Sequence, residues 1–437
     1  MIEVKPQTTP RTQRARTALC AVQKKPVSSN YGEQNRTVRC MVKFLFLLFL
    51  SLCFYCDIEK KTKKVNLPFK NVRVGILSKY KLNKFSVSVK NAILFTDAKT
   101  ETLKNDTIYV EKNNSKLSII RKTSNKKNEV THFIIESQEL IKISFEEKER
   151  NYSGSIEALV KNGQLVLINQ TDAESYVTSA ALAESGILLE KLKEKKQRVA
   201  LLNAMKISVR SYLFSNLERH PHEDYHVCDL THCVHFPQNL TEKEEIPSAP
   251  EVLLTEDNTI LTAYFHSSCG GNLSSPGIYW HGHENNKYYR KEKDSLASEK
   301  ILCDNSPQYS WHAQISKIEM KNILGAKNIS DLKPVYENNR VSYLTYSEKE
   351  NTAYRGKKIS AAAFLSKSGR LLGWNKIKSN HFSLTENIDS YTIKGRGLGH
   401  GIGLCQWGAM RQALEGRTAR EILEFYFPSA KIAKAGY

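Results

Sequence analysis

The chain has 437 residues, with 65 Lys and Arg against 45 Asp and Glu, a formal net charge of +20, and 40% hydrophobic residues. The apolar share and the 9% of aromatic residues suffice for a packed core and exclude wholesale disorder. One long apolar run excludes a multi-pass membrane protein, and the basic excess leaves nucleic acid, an anionic membrane surface or an acidic polymer as partner classes.

Residues 1–40 are basic, polar and without apolar period, and they read as a disordered leader. Eight basic residues against Glu3 and Glu33 give this leader six of the twenty net charges. Met41-Val-Lys43 and the apolar run at 44–56 follow, too short for an easy bilayer crossing but of the size and flanks of a signal-peptide core or membrane anchor. Met41 would be a natural start for such a signal. Residues 57–70 form a charged linker, and the expected location is the cell envelope, with membrane association through the apolar run. Five of the nine cysteines lie beyond it, so an all-disulfide framework cannot close. At least one of these thiols is free, metal-bound or paired in trans.

From residue 71 the chain reads as short strands: VRVGIL, FSVSV, AILFT and LSII alternate or are β-branched between Lys/Asn-rich turns. The polar stretch 113–128 reads as a solvated excursion. GSIEALVKNGQLVLIN is a hairpin about Asn162-Gly163, a favoured turn pair. At Thr171 the period changes from two to about 3.6, with Thr171 or Asp172 as N-cap and Gly186 where a C-cap belongs. A longer helix is predicted over 193–218, burying Val199, Leu202, Met205, Val209, Tyr212 and Leu213. A His/Cys-rich segment, strands around 260–265, a mixed, loop-rich region to about 390, and a glycine-rich turn entering a terminal helix complete the chain. The fold class is α+β, with a β-rich part at 71–170 and a second part at 171–437 within one domain spanning 71–437.

Helical spacing places Val177, Ala180, Ala181, Glu184, Ile187 and Leu188 on one face, so Glu184 sits inside an apolar stripe. A carboxyl in apolar surroundings has its pKa raised, as a general acid at neutral pH requires. The alternative is a structural ion pair, with Arg210 of the next helix as partner. Six potential ligands fall between residues 222 and 235: His222, His226, Cys228, His232, Cys233 and His235. They are consistent with a tetrahedral zinc site or with a small Cys228–Cys233 disulfide among solvated histidines. Glycines at 395, 397, 399, 401 and 403 fit no nucleotide-loop template. They leave a bare face for another backbone or a sugar chain, with His400 as its exposed polar group. Ser267, Ser268 and Cys269 beside His266 read as a strand-end turn or as a Cys/His nucleophile.

Four segments in order resemble the sporulation stage II protein D/amidase-enhancer (SpoIID/LytB) family: the hairpin and helix from YSGSIEALV to AESG, then MKISVRSYL, then YHVCDLTHC with YFHSSCGG, and the closing GRGLGHGIGLCQWGA through FYFPSAKI. VRVGIL resembles the family's opening strand. The resemblance implies a peptidoglycan lytic transglycosylase that cleaves the MurNAc–GlcNAc β-1,4 bond, preferably in strands stripped of stem peptides by an amidase, with formation of 1,6-anhydroMurNAc. It puts the catalytic glutamate on Glu184, and its Arg-x-Tyr motif on Arg210 and Tyr212. His222, Cys228, His232 and Cys233 match the residues that hold a zinc ion in some members. Ser267, Ser268, His400 and Gln406 are the further candidates for the substrate groove. Two departures stand out: the family's Glu-Met-Pro is Glu184-Ser185-Gly186 here, and Val234-His235 replaces the Gln common after the second Cys. The rival readings are a non-enzymatic recruiter or enhancer of a cell-wall amidase and a Cys269-dependent peptidase or acyltransferase. Scattered basic residues without an aromatic-basic module argue against nucleic acid.

Overall fold

Alternating apolar and polar residues, broken by Lys/Asn turns, make the first hundred described residues almost entirely strand. The computed structural model describes residues 64–437 apart from 231–232, 238–249, 281–285, 297–299 and 351–352. The leader, the apolar run at 44–56 and the linker up to residue 63 lie outside the described residues. Among those described, no helix is long and apolar enough to cross a membrane.

The strands are β1 (Val65–Asn66), β2 (Asn71–Ile76), β3 (Lys84–Thr96), β4 (Thr100–Asn113), β5 (Lys116–Arg121), β6 (Lys127–Val130), β7 (His132–Phe145), β8 (Lys148–Lys161), β9 (Gln164–Asp172) and β10 (Val227–Cys228). All but β1 form a nine-stranded sheet ordered β10-β2-β9-β8-β7-β3-β4-β5-β6. Its ladders are antiparallel, except that β10 joins β2 in parallel. FSVSV and AILFT, expected as two strands, run as one. The register of β3 on β7 shifts between Ser88 and Ile93, an irregularity that lets a long strand continue past a mismatch. The stretch 113–128 is not an open excursion: Leu117 and Ile119 are buried and β5 is paired on both sides. Asn162 and Gly163 both have positive φ, 51° and 72°, as the twist-matched two-residue hairpin turn requires.

Asp172 ends β9 and starts the Ala173–Leu189 helix, its Oδ1 accepting the backbone N–H of Glu174 and Ser175, each at 3.0 Å. The helix passes through Gly186 instead of ending there, because Leu188 and Leu189 of its last turn are drawn into the core. The apolar stripe leaves the core as the helix advances. Val177, Ala180 and Ala181 are buried, Glu184 is half-buried, and Ile187 is 75% exposed. The second helix, Lys195–Ser215, is shorter at both ends than its expected span and buries Leu202, Met205, Val209, Tyr212 and Leu213 as spacing predicts.

The remaining strands are β11 (Glu251–Leu254), β12 (Phe265–His266), β13 (Ser310–Ser316), β14 (Ile329–Glu337), β15 (Arg340–Glu350), β16 (Ala353–Ser360), β17 (Phe382–Glu386), β18 (Ser390–Arg396), β19 (Leu404–Cys405) and β20 (Lys431–Gly436). The region expected to be loop-rich instead builds a second hydrophobic cluster around Trp311, Ile315, Met320, Leu344, Phe364 and Ile393. Two three-stranded sheets, β13-β18-β17 and β14-β15-β16, enclose it with the helices Lys317–Leu324 and Ala361–Leu372. Pro334 is carried by β14, an edge strand, where a missing N–H costs no ladder bond. After the glycine-rich turn come two helices, Gln406–Leu414 and Ala419–Tyr426, then β20; a single terminal helix was expected. A capping box between Thr418 and Glu421 starts the second one.

The glycine-rich turn lies against the segment 264–270. The Ser268 N–H donates to Leu398 O at 3.1 Å and the Leu398 N–H returns to Ser268 O at 2.8 Å. At Gly403, φ is +67° and a Cβ would run into the Tyr264 carbonyl oxygen. Gly403→Ala is therefore expected to destabilise the protein by about 2–4 kcal/mol, from left-handed strain plus a backbone clash. Urea unfolding checks this, and a loss below about 0.5 kcal/mol would contradict the packing.

Candidate active site

The first turns of the Ala173–Leu189 helix are fixed in the core, and its third turn opens onto a cleft of about 1370 Å³. Glu184 lines this cleft together with Tyr212, Ser267, His400 and Gln406. The Gln406 side-chain N–H donates to Glu184 Oε2 at 3.1 Å, and the His235 backbone N–H donates to Oε1 at 3.3 Å. Gln406 is the first residue of its helix and is itself buried, so the amide is held in place by the fold. The other carboxylate among the described residues of the cleft, Asp229, is occupied: it accepts from the backbone N–H of Leu77 at 2.7 Å and of Ser78 at 3.2 Å, with Arg150 at 3.5 Å.

Arg210 does not pair with Glu184. It is fully buried and grips Glu174, with Nε to Oε1 at 2.7 Å and Nη2 to Oε2 at 2.5 Å, while Nη1 donates to Glu251 O at 2.9 Å. Burial works against the Glu174 charge, but the Arg210 hydrogen bonds and charge hold that carboxyl below the usual range. This fork ties the first turn of one helix to the last turns of the next, which is a positional role. Tyr212 is buried at the cleft wall, edge-on to Tyr264 and Phe265.

His400 is not an exposed group on a bare face. It is half-buried among Trp280, His266, Tyr279 and Tyr264, with ring centroids at 5.2, 5.5, 6.0 and 6.1 Å. Its Nδ1 accepts the Ile402 N–H at 3.0 Å. Burial, then the Arg340 guanidinium, pushes its pKa down to about 3, so it is a neutral ring at physiological pH. His266 is buried and likewise held well below the usual range by burial, His400 and Arg340. Its Nδ1 lies 3.0 Å from Ile402 O, and its buried Nε2 has no hydrogen-bond partner. Ser267 reaches the cleft, whereas Ser268 is fully buried behind it. Cys269 is also fully buried and does not line the cleft, which removes it as a nucleophile for a substrate there.

The His/Cys segment brings His220, Cys228 and Cys233 together: their ligand atoms lie within 4.8 Å of one another, and His220 Nε2 is 3.3 Å from Cys233 Sγ. His222 is exposed and outside this group, with its carbonyl accepting from Lys161 Nζ at 2.7 Å. His226 stacks on Phe69 at 4.6 Å instead. His232 lies outside the described residues. An imidazole and two thiols are a donor set suited to zinc, so these residues fit such an ion on chemistry and spacing.

No protein-family model matches the chain. Over 193 residues it is 26% identical to stage II sporulation protein D of Bacillus subtilis (strain 168), a match covering 44% of this chain and 51% of that protein. Over 62 residues it is 37% identical to the amidase enhancer of the same organism, 14% of this chain and 9% of that one. Over part of its length the chain is similar to the stage II sporulation protein D and amidase-enhancer proteins. A protein of Brachyspira hyodysenteriae with no assigned role is 23% identical over 297 residues, 64% of this chain and 72% of its own length. The chain spans about half the length of the sporulation proteins it matches.

Sequence reasoning misses four features of the cleft and its support. His235 contributes through its backbone N–H, which no side-chain pattern can reveal. Glu174, in the first turn of the Ala173–Leu189 helix, is the true partner of Arg210. Tyr279 and Trp280, from the region read as loops, form an aromatic wall with Tyr264 from the stretch read as strand. Arg340 is fully buried, donating to Cys269 O at 2.6 Å, to Asn272 O at 2.8 Å and to Asn380 Oδ1 at 2.7 Å.

Proposed function

We propose that the protein is a peptidoglycan lytic transglycosylase of the cell envelope, with Glu184 as its single acid/base. The observation that carries this reading is the isolation of Glu184 on the cleft wall. It is held at both oxygens by Gln406 and the His235 N–H and makes no ion pair with a described residue, while Asp229 is consumed by backbone and Arg150. A hydrolytic glycosidase needs two available carboxylates. A lytic transglycosylase can work with one, because the sugar's own 6-hydroxyl replaces activated water. Protonated Glu184 donates to the oxygen linking MurNAc to GlcNAc. The carboxylate so formed accepts the proton of the muramic 6-hydroxyl as that oxygen bonds to C1, closing the 1,6-anhydro ring.

The rest of the cleft suits a glycan. Aromatic faces of Tyr264, Tyr279 and Trp280 meet the apolar faces of sugar rings, and the neutral ring of His400 stands among them. Lys79, Arg219 and Lys378 at the same cleft attract the lactyl carboxylates of muramic acid. His220, Cys228 and Cys233 would hold a zinc ion, whose chemistry here is to fix the segment that presents the His235 N–H to Glu184.

The match to an amidase enhancer supports a second reading, a glycan-binding module that recruits or stimulates a cell-wall amidase. Incubating the purified protein with denuded glycan strands and no amidase separates the two. Saccharides ending in 1,6-anhydroMurNAc, one water (about 18 Da) lighter than the hydrolytic products, are expected. Intact strands, with stimulation seen only when an amidase is added to native wall, would select the second reading.

A further inference from the structure

Behind the cleft, four chain segments bring together three thiols and a carboxylate. Cys269 follows β12 in a Cys-Gly-Gly turn, Asp294 and Cys303 lie outside the helices and strands, and Cys405 ends β19 immediately before Gln406. All four are buried, with Cys269, Asp294, Cys303 and Cys405 each 0% exposed. Their ligand atoms lie within 4.8 Å of one another: Cys269 Sγ is 3.0 Å from Asp294 Oδ2 and 3.4 Å from Cys303 Sγ. A tetrahedral zinc ion with thiolates at about 2.3 Å places sulfurs about 3.8 Å apart. The cluster has that size.

The surroundings are those of a site with its outer contacts already in place. The Cys269 N–H donates to Cys405 Sγ at 3.3 Å and the Gly271 N–H to Cys269 Sγ at 3.4 Å. Tyr426 OH donates to Asp294 Oδ1 at 3.0 Å, leaving Oδ2 facing the thiols. Such hydrogen bonds to ligand atoms orient them and fix their charge state. Asp294 makes no ion pair with a described residue, and a carboxyl that is ionised in a dry interior calls for a compensating cation. Arg340, also fully buried, spends its donors on Cys269 O, Asn272 O and Asn380 instead. A Cys269–Cys303 disulfide would leave both Asp294 and Cys405 unexplained.

We propose that Cys269, Asp294, Cys303 and Cys405 bind a structural zinc ion, distinct from any ion held by His220, Cys228 and Cys233. The ion clamps β12 to β19 and so fixes Ser267 and Gln406 on either side of it at the cleft. This inference does not rest on the glycan reading; a non-enzymatic binding module would need the same clamp.

The test uses the full chain with Cys228→Ser and Cys233→Ser, produced with zinc in the medium, so that the other His/Cys group is silenced. Elemental analysis is expected to give one zinc per chain, falling to background on adding Cys303→Ser. Where that triple variant does not fold, differential alkylation of the wild-type chain with peptide mapping decides. Cys269, Cys303 and Cys405 should be protected with the metal present and become reactive together when a chelator strips it. A Cys269–Cys303 disulfide in the map, no zinc in the Cys228→Ser/Cys233→Ser chain, or chelator-independent reactivity of these three thiols would each overturn the proposal.

Discussion

Glu184→Gln is expected to lower the release of saccharides ending in 1,6-anhydroMurNAc from denuded glycan by about 10²–10⁴-fold, the contribution of a positioned general acid/base. The fold should be untouched. Glu184 is half-buried, and its two contacts are received hydrogen bonds, from Gln406 Nε2 and the His235 N–H. The amide of Gln can accept one of them through its oxygen and keeps the side chain's shape. Thermal midpoint and glycan binding are therefore expected to stay near wild type while turnover is lost. Mass spectrometry of the products and a binding assay on the same sample read both quantities. Wild-type product release by the variant would remove Glu184 from the mechanism. Loss of binding together with turnover would point to a role in holding sugar instead of moving a proton.

The second large effect concerns the fork between Arg210 and Glu174, and its sign of asymmetry is informative. The Arg210 side chain is 0% exposed and that of Glu174 is 32% exposed. Glu174→Gln leaves a guanidinium that cannot deprotonate buried beside a neutral amide, so a loss of about 3–5 kcal/mol is expected. Arg210→Met replaces the buried cation by an apolar chain and leaves a carboxylate that water and Tyr437 can reach, for a smaller loss of about 1–3 kcal/mol. Urea unfolding at pH 7 orders the two, and the reverse order would contradict the burial. Because the folded Glu174 value is held below its usual one, the pair's contribution is complete above the unfolded value of about 4.3. It is lost as pH falls through the lower folded value.

Local signals in the sequence survive into the structure where one residue decides the outcome. Asp172 caps its helix, Asn162-Gly163 turns its hairpin, and Met205, Val209 and Leu213 bury the face that spacing assigns them. Glu184 was legible because a charge on an apolar stripe is anomalous; the structure resolves the anomaly by letting the stripe run out of the core into the cleft. What stayed hidden depends on partners distant in the chain. Arg210 has two acidic candidates on the preceding helix, and only packing selects Glu174 over Glu184. The second hydrophobic cluster escaped because Lys, Ser and Pro334 dilute the alternation of its edge strands. Its clearest marker was the Asn338-Asn339 pair, both with positive φ, turning β14 into β15. His220, rather than His222, joins Cys228 and Cys233 because the turn at 220–223 carries His222 outward, a reversal that ligand spacing cannot encode.

The pairing of β1 with β20 joins Val65 to Ala435 and Asn66 to Gly436, and β12 meets β19 across a shorter but still long stretch of chain, Phe265 to Leu404. Contacts of such high sequence separation form only after large loops have closed, which makes them late and slow events in folding. A nascent chain can therefore complete the nine-stranded sheet and the helices Ala173–Leu189 and Lys195–Ser215 while its cleft still lacks His400 and Gln406. The cleft is thus assembled from both sides of a wide separation in sequence, Glu184 and Tyr212 on one and His400 and Gln406 on the other, so a chain interrupted between them carries the carboxylate without the amide that holds it.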